Sequence, residues 1–372
     1  MGSQISEETS KRITALRFLL IVFVVFIHNN FTAESIAESV ANGGPEILFN
    51  QSVFGAWVQL FVSQGIARCA VPLFFLFAAY LQAKKDDPYP VLLKKRAKSL
   101  LLPFVLWTAV YAFYFAGLKL IVLKIAPQFI AHPEDTALSW TGWDWFHKIL
   151  GYGLDEKGNI AMPGFAYHFW FLRDLIILVV LSPLLRFLIR RFPVGFFALV
   201  SIAFFLPVQI YFVASQALFF YVAGLYWGMY DVPLFEIIDR IKWKELVALF
   251  LLSFFGKELF YSGGGTLYWC MVLFASAFFL KVSGKIIQSE RTFSVASYLA
   301  GFSFFLFAVH TPVLNEFVKK LWISVFPMRN SFYCLFEYFG ASFVTICAGT
   351  GIGIVLKKVC PPLFRVFNGG RG

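Results

Sequence analysis

The sequence predicts an all-α integral membrane protein with about ten transmembrane helices and both termini in the cytoplasm. Three observations carry this reading. Hydrophobic residues make up 59% of the 372 residues and charged residues only 14%, where a soluble domain carries about 25% charged residues. The apolar residues fall in runs, at a mean hydropathy of +0.73, and about 20 of them suffice to cross about 30 Å of hydrocarbon. Lysine and arginine collect in alternate loops, which sets an orientation. The net charge of +11 would suggest nucleic acid as the partner of a soluble protein. Here the positive-inside bias accounts for it, and the expected partner is the lipid bilayer, with no nucleic acid.

Ten apolar segments follow in order. The first, Leu16–Phe31, comes after Lys11, Arg12 and Arg17. No small-x-small cleavage site follows it, so it reads as a retained span and not a removed signal. The second, Phe54–Leu81, is 28 residues long; that is too long for an upright helix, so it is tilted or broken near Arg68. The others are Ser99–Leu118, His168–Ile189, Val194–Phe212, Ser215–Tyr230, Glu245–Phe260, Thr266–Val282, Val295–Phe317 and Ser331–Leu356. Pro72, Pro103, Pro183, Pro207 and Pro312 fall inside them, which spans tolerate where neighbouring helices take up the freed carbonyls. The organisation is a cytoplasmic segment 1–15, a membrane domain 16–357 and a cytoplasmic tail 358–372.

The loops between spans agree with that orientation. The outward ones carry Glu34, Glu38, Glu46, Glu134, Asp135, Asp144, Asp155 and Glu156. The longest, 119–167, holds Trp140, Trp143, Trp145 and Tyr152. An interfacial helix is expected there around Ser139–Leu150, as a lid or acceptor surface or as an aromatic belt at the headgroups. Five cysteines form no CxxC pair, which argues against a disulfide framework or a zinc site.

Ionisable residues inside spans are costly and usually functional. Arg17 and His28 are eleven residues apart. Just over three helical turns separate them, so they share one face about 16 Å apart. The bland alternative is an interfacial arginine and a histidine satisfied by Asn29 or Asn30. His168, Arg173 and Asp174 enter the fourth span, His310 the ninth and Glu337 the tenth, all in the outer half, and Arg68 is mid-segment in the second. Three of the five histidines at one level suggest a polar chamber, and histidine is readily tuned as a general base. Arg173 and Asp174 read equally as a structural ion pair, and Glu337 as a partner of Arg68 or Lys257. No zinc-like histidine spacing occurs within a span, so no metal is assigned.

Four blocks in this chain resemble the acyltransferase-3 family of bacterial integral-membrane acyltransferases. Arg17, ten residues and His28 look like its Arg-x10-His signature. RCAVPLFFLFAAYL (Arg68–Leu81), HFWFLRDLIILVVLSPLL (His168–Leu185) and SFFLFAVHTPVL (Ser303–Leu314) are similar to three further blocks, in the family's order. Ala78 and Ala79 stand where Ser-Gly is usual, and Phe307 where tyrosine is common. The chain resembles the stand-alone members, without a hydrolase-like extracytoplasmic domain.

The resemblance implies O-acylation, usually O-acetylation, of a surface glycan or its lipid-linked precursor in the bacterial inner (cytoplasmic) membrane. The donor would be cytosolic acyl-CoA, a co-substrate and not a tightly bound cofactor. The residues fit such chemistry. Arg17, Lys94, Lys95, Arg96 and Lys98 suit CoA phosphates at the cytosolic mouth. His28 would deprotonate the acceptor hydroxyl or carry the acyl group covalently, with His310 as second base. Arg68 or Arg173 would steady the oxyanion, and His168, Asp174 and Glu337 would hold the acceptor. Two rival classes are a transporter or flippase for a lipid-linked sugar or small anion, and a membrane scaffold or sensor. Clear inverted repeats would favour the transporter, and none is evident. A scaffold leaves the histidine layer unexplained.

Overall fold

A computed structural model describes residues 5–29, 53–85, 87–126, 136–151, 153–154, 160–161, 164–206, 212–260, 265–326 and 331–371. Apart from a two-residue antiparallel pairing of β1 (Gly153–Leu154) with β2 (Ile160–Ala161), the regular structure described is helical. Four helices are long and apolar enough to cross a membrane, and one bent pair makes a possible fifth. Asn30 and Phe31, the loop acids other than Asp144, Tyr152 and Pro207 lie outside the described residues.

Helix α1 (Glu7–His28) starts where the Ser6 side chain accepts the Thr9 amide, with Glu7 and Glu8 in the first turn. Both features suit the positive end of a helix. The second apolar segment, expected to be tilted or broken near Arg68, lies in one long helix, Trp57–Lys85, with a local distortion there. It runs as α2 (Val53–Gln59), a π turn Leu60–Gly65, a 3₁₀ turn Ile66–Cys69 that contains Arg68, and α3 (Ala70–Lys85). The third segment belongs to a longer helix, α4 (Tyr89–Ile125). The loop helix is α5 (Gly142–Leu150), shorter at its start than expected. Thr141 and Asp144 form a capping box that fixes the first turn, and Gly151 ends the helix at φ 66°.

Then follow α6 (Trp170–Arg191), entered through a 3₁₀ turn Tyr167–Phe169, α7 (Pro193–Phe205), α8 (Ser215–Met229), α9 (Leu234–Arg240), α10 (Trp243–Phe260) and α11 (Thr266–Ile287). The ninth apolar segment corrects the sequence reading. One span was expected over Val295–Phe317, but α12 (Glu290–Ala300) and the helix Ser303–Val325 meet at 47°. That second helix breaks again between α13 (Ser303–Val309) and α14 (Asn315–Val325), where Thr311 is extended at φ −139°, ψ 156°. Thr311 precedes Pro312 across a cis bond. A residue before proline is disfavoured in the helical region, and proline has no N–H to donate. The chain closes with α15 (Ser331–Val359) and α16 (Pro361–Phe367).

Helix α1 is central. It packs against α3, α11, α12, α13 and α15, and Leu16, Leu20, Ile21, Val24 and Val25 are buried. The peripheral helices instead leave large apolar side chains outward, among them Phe113, Leu184, Phe187, Leu252 and Phe343. Contiguous exposed apolar surface of this kind suits lipid, not water. The most extensive helix contact joins α3 to α8. A Cβ on Gly228 would lie 2.6 Å from the Ala83 Cβ, and one on Gly224 would lie 2.9 Å from the Ala79 Cβ. Small residues four apart let two backbones approach, which helps drive association in lipid. Ala79, one of the two departures from the Ser-Gly pattern, therefore serves packing. Next to it, Tyr80 stacks on Trp227 with ring centroids 3.8 Å apart.

Gly224→Val is expected to destabilise the fold by about 1–3 kcal/mol, the usual cost of overpacking. Gly195→Ala, where a Cβ meets nothing within 4 Å, is the control. Thermal unfolding of the detergent-solubilised protein reads both.

Candidate active site

Three histidines from three elements meet. His28 is the last residue of α1, His168 lies in the turn before α6, and His310 follows α13. The ring centroids of His28 and His310 are 5.2 Å apart, and those of His168 and His310 5.4 Å. Each sits where a helix stops or breaks. Side chains there take up the carbonyls that the interrupted helices release. Asn315 Nδ2 donates to the His28 carbonyl at 2.9 Å, and Lys319 Nζ lies 3.3 Å from the same oxygen. Tyr111 Oη donates to the carbonyls of Ala308 at 2.7 Å and Thr311 at 3.0 Å.

The hydrogen bonds also fix protons. His310 Nδ1 lies 2.8 Å from the Phe307 carbonyl. A carbonyl only accepts, so Nδ1 carries the hydrogen. In the neutral ring Nε2 then keeps its lone pair, and Nε2 is buried without a partner. His28 Nδ1 is 3.4 Å from Tyr167 Oη, which is 2.8 Å from Thr311 Oγ1. If Nδ1–H donates to Tyr167 and Tyr167 donates to Thr311, Nε2 of His28 is likewise free to accept. His168 is buried with both ring nitrogens unpartnered. Asn29 donates to Ser342 Oγ at 2.7 Å and does not satisfy the His28 ring; Asn30 lies outside the described residues.

A cavity of about 670 Å³ opens beneath this cluster, between α1, α3, α4, α6, α12, α13 and the segment after α16. The cations Arg17, Lys85, Lys95, Arg96 and Arg371 line it, together with the carboxylate of Asp87. Its lining is also aromatic, with Phe74, Phe77, Phe171, Phe304 and Phe307. Phe307 is shared with the cluster, its ring centroid 5.4 Å from that of His168 and 6.2 Å from that of His310. Arg17 lines the cavity, and His28, eleven residues on along α1, belongs to the cluster that shares Phe307 with it.

The predicted donor cations divide. Arg17, Lys95 and Arg96 line the cavity, and Lys94 and Lys98 do not. Lys95 is itself exposed and donates to Asp87 at 2.6 Å. On α4 the lining positions Leu92, Lys95, Arg96, Ser99 and Leu100 form one helical face, and positions 94 and 98 point off it. Arg173 also departs from its expected role at the oxyanion. Its Nε and Nη2 donate to Asp174 Oδ1 at 3.0 and 2.9 Å, and its Nη1 donates to the carbonyls of Leu150 and Gly151 at 3.1 and 3.0 Å. Asp174 Oδ2 accepts the Ala214 amide at 2.9 Å. The pair holds the end of α5 and the start of α8 to α6, which is the structural alternative.

Glu337 pairs with neither Arg68 nor Lys257. Arg68 donates to Gln64, and Lys257 bonds Glu258. Both Glu337 carboxylate oxygens are buried and unpartnered. Lys319, through its contact with the His28 carbonyl, is a cation that touches the cluster. Among the described residues no group of three His, Cys, Asp or Glu side chains is placed to hold a metal ion.

Sequence reading missed Tyr111, Tyr167, Asn315, Lys319, Lys85 and Arg371. One signal was available, since Thr311, Asn315 and Lys319 recur every four residues, a polar stripe on one helix face.

Comparison with known proteins settles the family. A family model described as an acyltransferase domain matches residues 10–358. The chain belongs to the acyltransferase-3 family. It is an acyltransferase, and its helices mark it as a multi-pass membrane protein. The succinoglycan biosynthesis protein ExoH of Rhizobium meliloti (strain 1021) is 27% identical over 379 residues, covering 97% of this chain and 92% of that protein. No solved structure matches. In this acyltransferase the match takes in every residue of the histidine cluster and ends before Arg371.

Arg173→Ala leaves Asp174 buried without its cation and is expected to cost about 3–5 kcal/mol. Loss of monodisperse protein on size exclusion, before any assay of activity, is the check.

Proposed function

We propose that this acyltransferase transfers an acyl group, acetyl in the first instance, from cytosolic acyl-CoA to a hydroxyl of a cell-surface polysaccharide or its lipid-linked precursor. The carrying observation is a cation-lined cavity that shares Phe307 with a cluster of three histidines. The succinoglycan role in the relative's name supports a polysaccharide acceptor. The chain would lie in the inner membrane with ten spans and both termini cytoplasmic, which puts Arg17 towards cytosolic donor.

In this reading Arg17, Lys95 and Arg96 hold the donor's phosphates, and the thioester reaches Phe307, beside the histidines. Bidentate guanidinium contacts suit phosphate. His28, oriented through Nδ1 by Tyr167 and Thr311, takes the acceptor's proton on Nε2. The alkoxide attacks the thioester carbonyl, and Arg68 is the cation assigned to the oxyanion. Collapse breaks the C–S bond, and the thiolate leaves with the proton that His28 carries. His310, with its bare Nε2, is the second base. His168 and Glu337, buried with unsatisfied polar atoms, are assigned to the acceptor.

His28→Ala is expected to lower transfer by about 10²–10⁴, the usual contribution of a general base, at unchanged membrane expression. Mass spectrometry of ester-linked acetyl groups on host glycans, with wild-type protein, none and the variant, reads this. Acetyl esters that persist at the deletion strain's wild-type level would sink the acetyl reading. A further expectation separates positioning from chemistry. Tyr167→Phe keeps the ring but loses the hydroxyl between His28 and Thr311, and should lower kcat about tenfold with KM nearly unchanged.

A further inference from the structure

The segment after α16 is folded into the cavity, and it lies beyond the residues that the family match covers. Three contacts hold it there. Asn368 is fully buried, and its Nδ2 donates to the Gly301 carbonyl at 2.9 Å. Trp107 Nε1 donates to the Phe367 carbonyl at 3.1 Å. Gly369, at φ 66°, turns the chain so tightly against α4 that a Cβ would lie 3.3 Å from Pro103. A left-handed residue with no space for a side chain calls for glycine.

The turn delivers Arg371 into the cavity. Its guanidinium lies over the Phe304 ring, with Cζ 4.6 Å from the centroid. Its Nη1 is out of solvent without a hydrogen-bond partner. Arg17 and Arg96 line the same space, and among the described residues none of the three guanidinia has an ion-pair partner. Burial, and then the charges of Arg17 and Arg96, push the Arg371 guanidinium down to about 10, so it stays cationic at neutral pH. Lys85, Lys95 and Asp87 line the cavity as well, and Asp87 is paired with Lys95. One carboxylate does not balance the cations, and the three guanidinia repel one another. The arrangement is explained by a multivalent anion that neutralises them together.

We infer that the segment after α16 forms one wall of the donor site, and that Arg371 is a third guanidinium for the phosphates of a CoA-type nucleotide. This rests on the reading that an acyl-CoA donor occupies the cavity. Arg17 comes from the first span, Arg96 from α4 and Arg371 from beyond the last long helix. Three phosphates on one ligand are thereby gripped from three parts of the chain.

The test is calorimetric titration of the full chain in detergent with CoA, at two salt concentrations. Arg371→Gln keeps much of the side chain's length and removes its charge. It is expected to raise the Kd for CoA about tenfold to hundredfold, the worth of a charge-assisted hydrogen bond. Its affinity should also depend less on salt, because one fewer charge is there to be screened. Arg371→Lys should recover part of the loss. Asn368→Ala, which frees the turn, should weaken binding in the same direction. An unchanged Kd in Arg371→Gln overturns the inference. So does a weakened Kd with undiminished salt dependence, because that marks a purely structural role. If the wild-type protein binds no CoA, the donor reading itself fails, and the variants are not needed to show it.

Discussion

A helix interrupted inside a membrane releases carbonyls that no water can satisfy. That constraint orders this molecule, because irregular backbone at such depth is tolerated only inside protein or beside a cavity. The chain ends or interrupts helices at the end of α1 and around Thr311. At both places side chains step in. Ser63 Oγ donates to the Phe26 carbonyl at 2.7 Å, while Asn315 and Tyr111 serve the carbonyls of His28, Ala308 and Thr311. The polar residues that repair the backbone thereby surround the histidines. The candidate site exists where it does because that is where the helices stop.

The buried charges separate by the same accounting. A buried charge is tolerated when it is paired and fully hydrogen-bonded. Arg173 and Asp174 meet that condition and tie three elements together. Glu337, His168 and His310 do not, for each keeps a buried polar atom with no partner. A folded protein retains such atoms at a cost in stability, and a substrate hydroxyl or carbonyl offers the missing bond. Function is therefore sought in the unsatisfied groups, while the satisfied ones hold the scaffold.

Much of this was legible in the sequence, and the remainder was hidden for definite reasons. Composition pointed to the helical membrane class, and the excess length of Phe54–Leu81 to an irregularity near Arg68, where the helix is distorted. Helical periodicity put Arg17 and His28 on one face, and family blocks drew His168 and His310 towards them. The second break, at Gly301–Phe302, was not legible, because hydropathy runs through it undisturbed. The division of Lys94 and Lys98 from Lys95 and Arg96 depends on which face α4 turns inward, and a basic cluster does not state that. Tyr167 and Asn315 act by hydrogen-bonding across distant parts of the chain, which no local pattern encodes. Arg371 lies in a short tail that resembles any basic inner loop.

Phe307 stands between the two parts of the site. Its ring lines the cavity and is wedged against His168, Phe169 and Phe171. Tyrosine, common at this position in the blocks that this chain resembles, would add a hydroxyl that donates and accepts a proton; phenylalanine has none. The ring is therefore a dry partition, and what passes between cavity and histidines passes around its edge and not through a hydroxyl relay.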